Sequence, residues 1–319
     1  MTPAYADILT ITLNPALDMT TSVDSVRAEA KLRCDTPVLD PGGGGINVAR
    51  AIRQTGGIAT AFIALAGFRG QQLAALLEAD DVPMITFLLP GETRLSLAVG
   101  DRLAKTQYRF VMPGPNWTDG DLTTLAEQLT QVITPGMQVV LSGSQPPGVP
   151  DSFPKTLANI TKAKGAVLTL DTSGSALSVQ VTHDGAVPDV LRLNGAESEA
   201  LAGRKLTSLT DIEKFARRLI ADSHARAVVL ALGADGSVLA TPDGVLHAVT
   251  PRVPVISEVG AGDSFVGAFT LTRARGGDWA EALRYGTAAA SAAVMSPATD
   301  LCLPDDLQNL LLQVIITKL

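Results

Sequence analysis

Short apolar runs recur along the chain and are separated by segments with helical periodicity. The runs occupy residues 8–14, 59–65, 137–143, 166–172, 190–194 and 227–233. Helical patterns occupy residues 45–55, 69–80, 118–132, 208–222, 263–274 and 278–295. Continuous apolar runs are typical of strands buried on both faces of a parallel sheet. Their alternation with helices predicts a three-layer α/β/α sandwich with a mostly parallel central sheet.

Two stretches interrupt this rhythm. Residues 19–40 and 93–112 alternate apolar and polar side chains, which is typical of half-exposed antiparallel strands. The second stretch reads as a hairpin around VGDRLAK. Together they predict a small β-sheet lid whose apolar face is covered by substrate, by a second subunit, or by both. With no repeat or Ser/Pro-rich linker in the sequence, we expect one domain, residues 1–319, with the lid inserted in it.

Composition limits the partners of the chain. Hydrophobic residues make up 46% of the 319 residues, charged residues make up 18%, and the net charge is −7. This balance argues against nucleic acid or an anionic membrane as the main partner, so an anionic substrate needs a local basic cluster. Four candidates fall in the two lid stretches, although any one alone could be ordinary surface charge: Lys31, Arg33, Arg94 and Arg109.

Cysteine usage and the apolar runs bear on localisation. Cys34 and Cys302 have no partner spacing and are expected to be reduced thiols. The sequence shows neither a signal-peptide pattern nor an apolar run long enough to span a membrane. We therefore expect a cytoplasmic protein.

The segment EVGAGDSFVGAF places Asp263 directly after Gly260, Ala261 and Gly262, at the expected start of a helix. One interpretation is a helix N-cap, a position that Asp favours. The other is an anion site, because a bare loop at a helix N-terminus leaves several N–H groups free to bind phosphate. A carboxylate beside such a site would suit a general base that accepts a proton from an attacking hydroxyl.

A second glycine cluster lies in DPGGGGINVARAIRQTGG, where Gly42 and Gly43 begin a run of four glycines before a helix. A flexible turn needs fewer glycines, and close approach of a ligand to the backbone explains the run better. Asn47 follows in the first helical turn, where it could bind sugar-like hydroxyls or cap the helix. The sequence contains no P-loop and no G-x-G-x-x-G at its first strand–helix turn.

Three further segments carry candidate polar groups. TLNPALD is predicted to place Asp18 at the carboxyl end of the first strand, either as a solvated acid or as an acceptor for a polyol. RLNGAESEAL carries Asn194 and Glu197 at a helix start, where capping explains the pair almost as well as metal–water contacts. SGSQPPGV follows another strand and carries Ser144.

The segments PGGGGINVARA and VGAGDSFVGA resemble the two signature segments of the ribokinase-like PfkB sugar kinases, and they occur here in the family's order. KLRC, QYRFVMPG and SGSQPPGV make the chain most similar to the ATP-dependent 6-phosphofructokinases of that family. The resemblance implies the ribokinase-like α/β fold with a β lid, and ATP and Mg²⁺ as cofactors.

The resemblance also implies roles for individual residues. Asp263 matches the catalytic base, and Gly260, Ala261 and Gly262 match the anion hole. The positions that match sugar-hydroxyl ligands are Asp18, Gly42, Gly43 and Asn47. The family's residues around the sugar phosphate correspond here to Arg94, Arg109 and Ser144. Lys31 and Arg33 correspond to the family's lid residues that reach toward substrate.

The residues that match the family's nucleotide-binding positions depart from the family's usual sequence at two places. Asn194 and Glu197 match the family's N-x-x-E motif, which is tied to magnesium through water and to nucleotide phosphate, and Gly233 matches a nucleotide-binding loop. The family's usual Lys-Pro-Asn is here Arg192-Leu193-Asn194, and Ala231 stands where a serine is common. Arg keeps the positive charge but not the compact ammonium group.

These implications define the expected activity. It is ATP-dependent phosphorylation of D-fructose 6-phosphate at its C1 hydroxyl by a homodimer joined through the lid. One alternative is a sister kinase that acts on fructose 1-phosphate or tagatose 6-phosphate. A less favoured alternative, of a different class, is a non-catalytic sugar-phosphate sensor.

Overall fold

The chain folds into two β-sheets and a set of helices, seen in a computed structural model that describes residues 5–182, 185–297 and 300–319. In chain order the strands are β1 (Ile8–Thr12), β2 (Ala16–Val23), β3 (Val38–Gly42), β4 (Thr60–Ala66), β5 (Met84–Leu89), β6 (Arg94–Asp101), β7 (Thr106–Val111), β8 (Gln138–Ser142), β9 (Val167–Asp171), β10 (Val190–Leu193), β11 (Ala227–Ala231), β12 (Ser237–Thr241), β13 (Gly244–Val249) and β14 (Ile315–Lys318).

The helices of the described residues follow or separate these strands. They are α1 (Gly44–Gln54), α2 (Gly67–Ala79), α3 (Asp119–Val132), α4 (Phe153–Lys164), α5 (Gly174–Thr182), α6 (Gly195–Ala202), α7 (Leu209–Ala221), α8 (Ala261–Ala274), α9 (Trp279–Ala293) and α10 (Pro304–Leu311). None of the helices in the described ranges is both long enough and apolar enough to cross a bilayer.

The larger sheet has ten strands in the order β14-β13-β12-β11-β10-β9-β8-β1-β4-β5. The seven neighbouring strands β11, β10, β9, β8, β1, β4 and β5 are parallel to one another. On the other side of β11, the strands β12, β13 and β14 extend the sheet with antiparallel pairs. The mostly parallel sheet expected from the apolar runs is confirmed. The carboxyl ends of its parallel strands therefore lie along one edge, where ligands of α/β folds bind.

Helices cover both faces of this sheet and create two apolar cores. Successive side chains of a strand point to opposite faces of the sheet. Ile63 of β4 lies in the core formed with α1, α2, α8, α9 and α10. The preceding residue, Phe62, lies in the core formed with α3, α4, α5 and α7. Both side chains are fully buried, and burying each contributes about 1.5–3 kcal/mol. The three-layer sandwich is thus built from runs that are apolar on both faces.

The smaller sheet has the order β3-β2-β6-β7 and contains strands from both predicted lid stretches. β6 and β7 form the expected hairpin. The all-antiparallel expectation is wrong at the centre, because β2 and β6 are parallel. These two strands are joined through the long segment that contains β3, α1, β4, α2 and β5, so no hairpin constrains their direction.

The first lid stretch is also less regular than its alternation predicts. Residues 24–37 form no strand, and Lys31 and Arg33 lie exposed in this loop rather than on a strand. Local hydrogen bonds replace a ladder here, since the Asp101 carboxylate accepts from the Val26 amide at 2.8 Å. Arg102 pairs with Asp24 at 2.7 Å and also with Asp35, which fixes both ends of the loop to the hairpin.

Candidate active site

The start of α8 discriminates between the two interpretations of Asp263. Gly260 is the N-cap, with φ of 79° in the left-handed region that favours glycine. Asp263 is the third helical residue, and no side chain among the described residues caps this end of the helix. The N-cap interpretation of Asp263 is therefore wrong, and the amides at the start of α8 remain open to an anion.

The Asp263 carboxylate instead faces the first turn of α1. Asn47 donates a hydrogen bond through Nδ2 to Asp263 Oδ2 at 2.9 Å. α1 and α8 approach closely because Gly267 has no side chain: a Cβ there would lie 2.9 Å from that of Ala51. Asn47 thus contacts the candidate base rather than capping its own helix.

The surroundings of Asp263 adjust its acidity. Its pKa is raised to about 7, first because burial disfavours the charged form and second because the Asp171 carboxylate is nearby. The hydrogen bond from Asn47 opposes this rise, as do the charge of Arg192 and the hydroxyl of Ser142. A half-buried carboxylate with a pKa near neutrality suits a general base.

The four-glycine run packs tightly against protein atoms. A Cβ on Gly42 would lie 2.2 Å from Asp18 Oδ2, and one on Gly44 would lie 2.3 Å from Ser142 Oγ. Gly43 has φ of 131°, and a Cβ there would lie 2.7 Å from Thr12 Cγ2. Protein contacts therefore account for glycine at these positions, and they bring α1 against the strand ends.

Asp18 is not where the sequence predicted. β1 ends at Thr12, and Asp18 lies in β2 of the smaller sheet, because a turn at residues 13–15 separates the two strands. Its partners across the sheet are Asp40 and Ser96. Asp18 still reaches the site, since its carboxylate lies over Gly42 at the entry to α1.

The polar face of the smaller sheet brings together the candidate phosphate ligands. Paired strand residues point to the same side of a sheet, so Asp18, Arg94 and Arg109 share one face through the β2–β6–β7 register. Burial raises the pKa of Asp18, and the charges of both arginines and a hydrogen bond with Ser96 offset part of that rise. Arg94 is half-buried and Arg109 is exposed.

Asn14 is a site residue that sequence reasoning missed. Its side chain donates through Nδ2 to Ser144 Oγ at 3.1 Å, and its backbone carbonyl accepts from Arg94 Nε at 3.1 Å. Asn14 thus joins two of the predicted phosphate ligands, and its Oδ1 is buried without a partner among the described residues. Its place in TLNPALD, directly after an apolar run, was the available signal.

Lys31 and Arg33 are not joined to this group. Within the described ranges, no hydrogen bond or ion pair connects either side chain to Asp18, Arg94 or Arg109. Their predicted contact with substrate remains a prediction.

A cavity of about 710 Å³ opens on the other side of the α8 N-terminus. Its polar end is formed by Arg192, Asn194, Gly233, Ala261 and Gly262. Its apolar lining includes Val253, Val255, Ala290 and Val294. The lining also includes Arg252 and Glu258, so the cavity is only partly apolar. A partly apolar cavity with a cation and open amides at one end fits a base attached to a phosphate chain.

Asn194 and Glu197 form the capping box that the sequence allowed. The Asn194 side chain accepts from the Glu197 amide at 2.9 Å, and Glu197 Oε2 accepts from the Asn194 amide at 2.8 Å. Burial raises the pKa of Glu197, and the charge of Asp171 adds to this effect. One oxygen of Glu197 is not needed for the capping box, so the residue can also face a cation.

The donor set near Glu197 fits a magnesium ion held mainly by other ligands. In the described part of the chain, no cluster of three or more His, Cys, Asp and Glu side chains could hold a metal. Mg²⁺ usually retains several waters and is bound by one or two carboxylates with substrate phosphates. Glu197, with the Asp171 charge beside it, matches that mode.

An α/β sheet edge with open amides at a helix N-terminus, a near-neutral carboxylate and a nucleotide-sized cavity defines a phosphoryl-transfer enzyme. The family model for pfkB family carbohydrate kinases matches residues 9–306. The chain belongs to this family.

Individual relatives support the same assignment. The ATP-dependent 6-phosphofructokinase isozyme 2 of Escherichia coli is 39% identical over 303 residues, covering 95% of this chain and 97% of the relative. A crystal structure of phosphofructokinase-2 from Escherichia coli in complex with fructose-6-phosphate has a TM-score of 0.88 at 38% identity, covering 96% and 98% of the two chains. A 1-phosphofructokinase of Rhodobacter capsulatus is 34% identical over 286 residues, covering 88% of each chain.

Proposed function

We propose that this protein transfers the γ-phosphoryl group of ATP to the C1 hydroxyl of D-fructose 6-phosphate, giving ADP and fructose 1,6-bisphosphate. The observation that carries this proposal is the position of Asp263. Its carboxylate lies between the glycine-rich N-termini of α1 and α8, is bound by Asn47, and has a pKa raised to about 7.

In this proposal the sugar lies on the α1 side of Asp263. Asp18, Gly42, Gly43 and Asn47 bind its hydroxyls, and the C1 hydroxyl gives its proton to Asp263. Arg94, Arg109 and Ser144 bind the existing phosphate, with Lys31 and Arg33 approaching from the loop at 24–37. The smaller sheet acts as a lid that excludes water, which would otherwise accept the phosphoryl group.

The nucleotide lies in the cavity on the α8 side. Arg192, Asn194 and Gly233 contact it, and the amides of Gly260, Ala261 and Gly262 bind the transferring phosphoryl group. Glu197 would hold Mg²⁺ through water. When bound, Mg²⁺ neutralises negative charge on the phosphate chain.

The choice of sugar phosphate is tested with a coupled assay for ADP release. We expect the highest kcat/KM with fructose 6-phosphate in a panel that includes fructose 1-phosphate and tagatose 6-phosphate. Preference for either of those substrates would establish the sister activity. Binding of a sugar phosphate without ADP release would establish a sensor.

The pKa of Asp263 predicts the pH dependence of turnover. The general base must be deprotonated, so kcat should fall as pH drops below about 7 and should level off above that value. We would measure kcat between about pH 5.5 and 9 with both substrates saturating. A kcat that stays constant down to pH 5.5 would contradict the proposed role of this carboxylate.

We also propose that the protein is a homodimer joined through the apolar face of the smaller sheet. Leu95, Leu97 and Val99 lie on the face opposite Asp18 and are half-buried, and Tyr108 and Phe110 on that face are 42% and 50% exposed. A second copy would cover this surface through a two-fold axis.

Light scattering should give twice the chain mass of 33.1 kDa. Phe110→Glu should shift the protein toward monomer, whereas Gln107→Glu on the polar face of the same strand should not. A fully active monomer at micromolar concentration would refute this assembly.

A cytoplasmic location is part of the proposal. It is supported by Cys34 and Cys302, which are both free thiols in the structure.

A further inference from the structure

Five residues form a continuous bridge between the two glycine-rich helix starts. Ser142 ends β8 and Asp171 ends β9, and the two are paired in register. Ser142 Oγ donates to Asp171 Oδ2 at 3.1 Å, and Arg192 Nη1 of β10 donates to Asp171 Oδ1 at 3.1 Å. The bridge begins at Gly44, which Ser142 contacts, and ends at Gly262, which Arg192 contacts.

The Arg192 guanidinium lies directly against the start of α8. A Cβ on Gly262 would be 2.9 Å from Nη1 and 3.0 Å from Nη2. The side chain is only 13% exposed, and its Nε is buried without a partner among the described residues. The guanidinium therefore has donors left over after its contact with Asp171, and it borders the cavity assigned to the nucleotide.

We infer that Asp171 is a positioning residue that holds the Arg192 guanidinium against Gly262, so that Arg192 adds its charge to the amides that bind the transferring phosphoryl group. The inference rests on the proposed kinase function. A half-buried carboxylate that binds two donors fixes both of them, since Asp171 uses one oxygen for Ser142 and the other for Arg192. Without Asp171, nothing else in the bridge would hold the guanidinium.

The same residues also set the electrostatic surroundings of the candidate base, Asp263. The charged groups around Asp263 are Asp171 from β9 and Arg192 from β10, and the polar groups are Asn47 from α1 and Ser142 from β8. Asp171 raises the basicity of Asp263, and Arg192 limits that effect. Neutralising Asp171 should therefore change the pH profile as well as the geometry of Arg192.

A double-mutant cycle with Asp171→Asn and Arg192→Lys tests this coupling. Asn keeps the size of Asp171 but not its charge, and Lys keeps the charge of Arg192 but not its planar fork. We expect each single variant to lose on the order of tenfold to a hundredfold in kcat/KM for ATP. The double variant should have about the same kcat/KM for ATP as the less active single variant, because both changes disrupt the same interaction between Asp171 and Arg192.

The pH profile separates positioning from a merely structural role. In Asp171→Asn the acid limb of kcat should move to lower pH, because a negative charge near Asp263 is lost. The matched controls are Asp189→Asn and Arg226→Lys, an ion pair at 3.3 Å just before the amino ends of β10 and β11. Both controls should retain wild-type kinetics.

Two results would overturn the inference. One is multiplicative losses in the double variant, which would show that Asp171 and Arg192 act independently. The other is an Asp171→Asn variant with the wild-type acid limb, whether or not its thermal stability changes. A wild-type protein that does not phosphorylate fructose 6-phosphate would instead refute the proposed function, so the two failures are distinguishable.

Discussion

Replacing Asp263 with Asn should lower kcat for fructose 6-phosphate on the order of 10²–10⁴-fold. The amide is nearly the same size and can still accept the hydrogen bond from Asn47, but it cannot take up the proton of the attacking hydroxyl. Affinity for ATP should persist or increase, because a negative charge beside the phosphates is removed. We would measure kcat together with ATP binding by calorimetry.

The stability of this variant supplies an internal control. The pKa of Asp263 is raised to about 7 in the folded protein, from an ordinary aspartate value of 3.8. Between these two pH values the carboxyl is therefore more protonated in the folded protein than in the unfolded chain. Ionisation of this carboxyl therefore reduces the stability of the fold as pH rises through that window, and the cost remains above pH 7. Asp263→Asn should then have an equal or higher Tm at pH 8, and a lower Tm would indicate that the loss of activity reflects misfolding.

Replacing Arg94 with Ala should raise KM for fructose 6-phosphate on the order of 10²-fold and should change KM for ATP little. Arg94 is half-buried, is held by the Asn14 carbonyl, and lies on the same face as Asp18 and Arg109. A partly desolvated guanidinium binds a phosphate more strongly than an exposed one does. Arg109→Ala should therefore act in the same direction but less strongly.

The matched control for Arg94 is Arg53→Ala, which removes an arginine from an exposed ion pair with Asp81 at 3.2 Å. Its KM values should match those of the wild type. Equal rises in KM for both substrates in Arg94→Ala would refute the assignment of this residue to the sugar phosphate.

Six strands of the large sheet, β1, β4, β8, β9, β10 and β11, were predictable because they are short and apolar on both faces, whereas β5, β12, β13 and β14 were not among the predicted runs. The run at 227–233, for example, became β11 at Ala227–Ala231. The helix at Gly44–Gln54 followed from its amphipathic pattern, with Val48 and Ile52 both fully buried. In such segments the local pattern and the tertiary environment agree.

The smaller sheet was less predictable because its strand directions depend on distant connections. Alternation in sequence reports half-burial but not the direction of a neighbour, so the parallel β2–β6 pair was missed. Asp18 was assigned to the wrong strand for a similar reason, since the turn after Thr12 starts a new strand in another sheet.

The site was predictable in its parts but not in its contacts. Asp263 and Asn47 stood out beside glycine clusters, but their hydrogen bond joins residues 216 positions apart. Asp171 carried no motif, because an acid after an apolar run is common. Its importance appears only when parallel strands bring Ser142 and Arg192 to either side of it.

A single-turnover experiment tests the central claim most directly. Radiolabelled ATP and fructose 6-phosphate would be mixed with excess enzyme at pH 8, quenched at successive times, and assayed for labelled fructose 1,6-bisphosphate. We predict that the wild type forms this product within one turnover and that Asp263→Asn, with both substrates bound, forms it on the order of 10²–10⁴ times more slowly. Equal rates of product formation in the two proteins would contradict the assignment of Asp263 as the base.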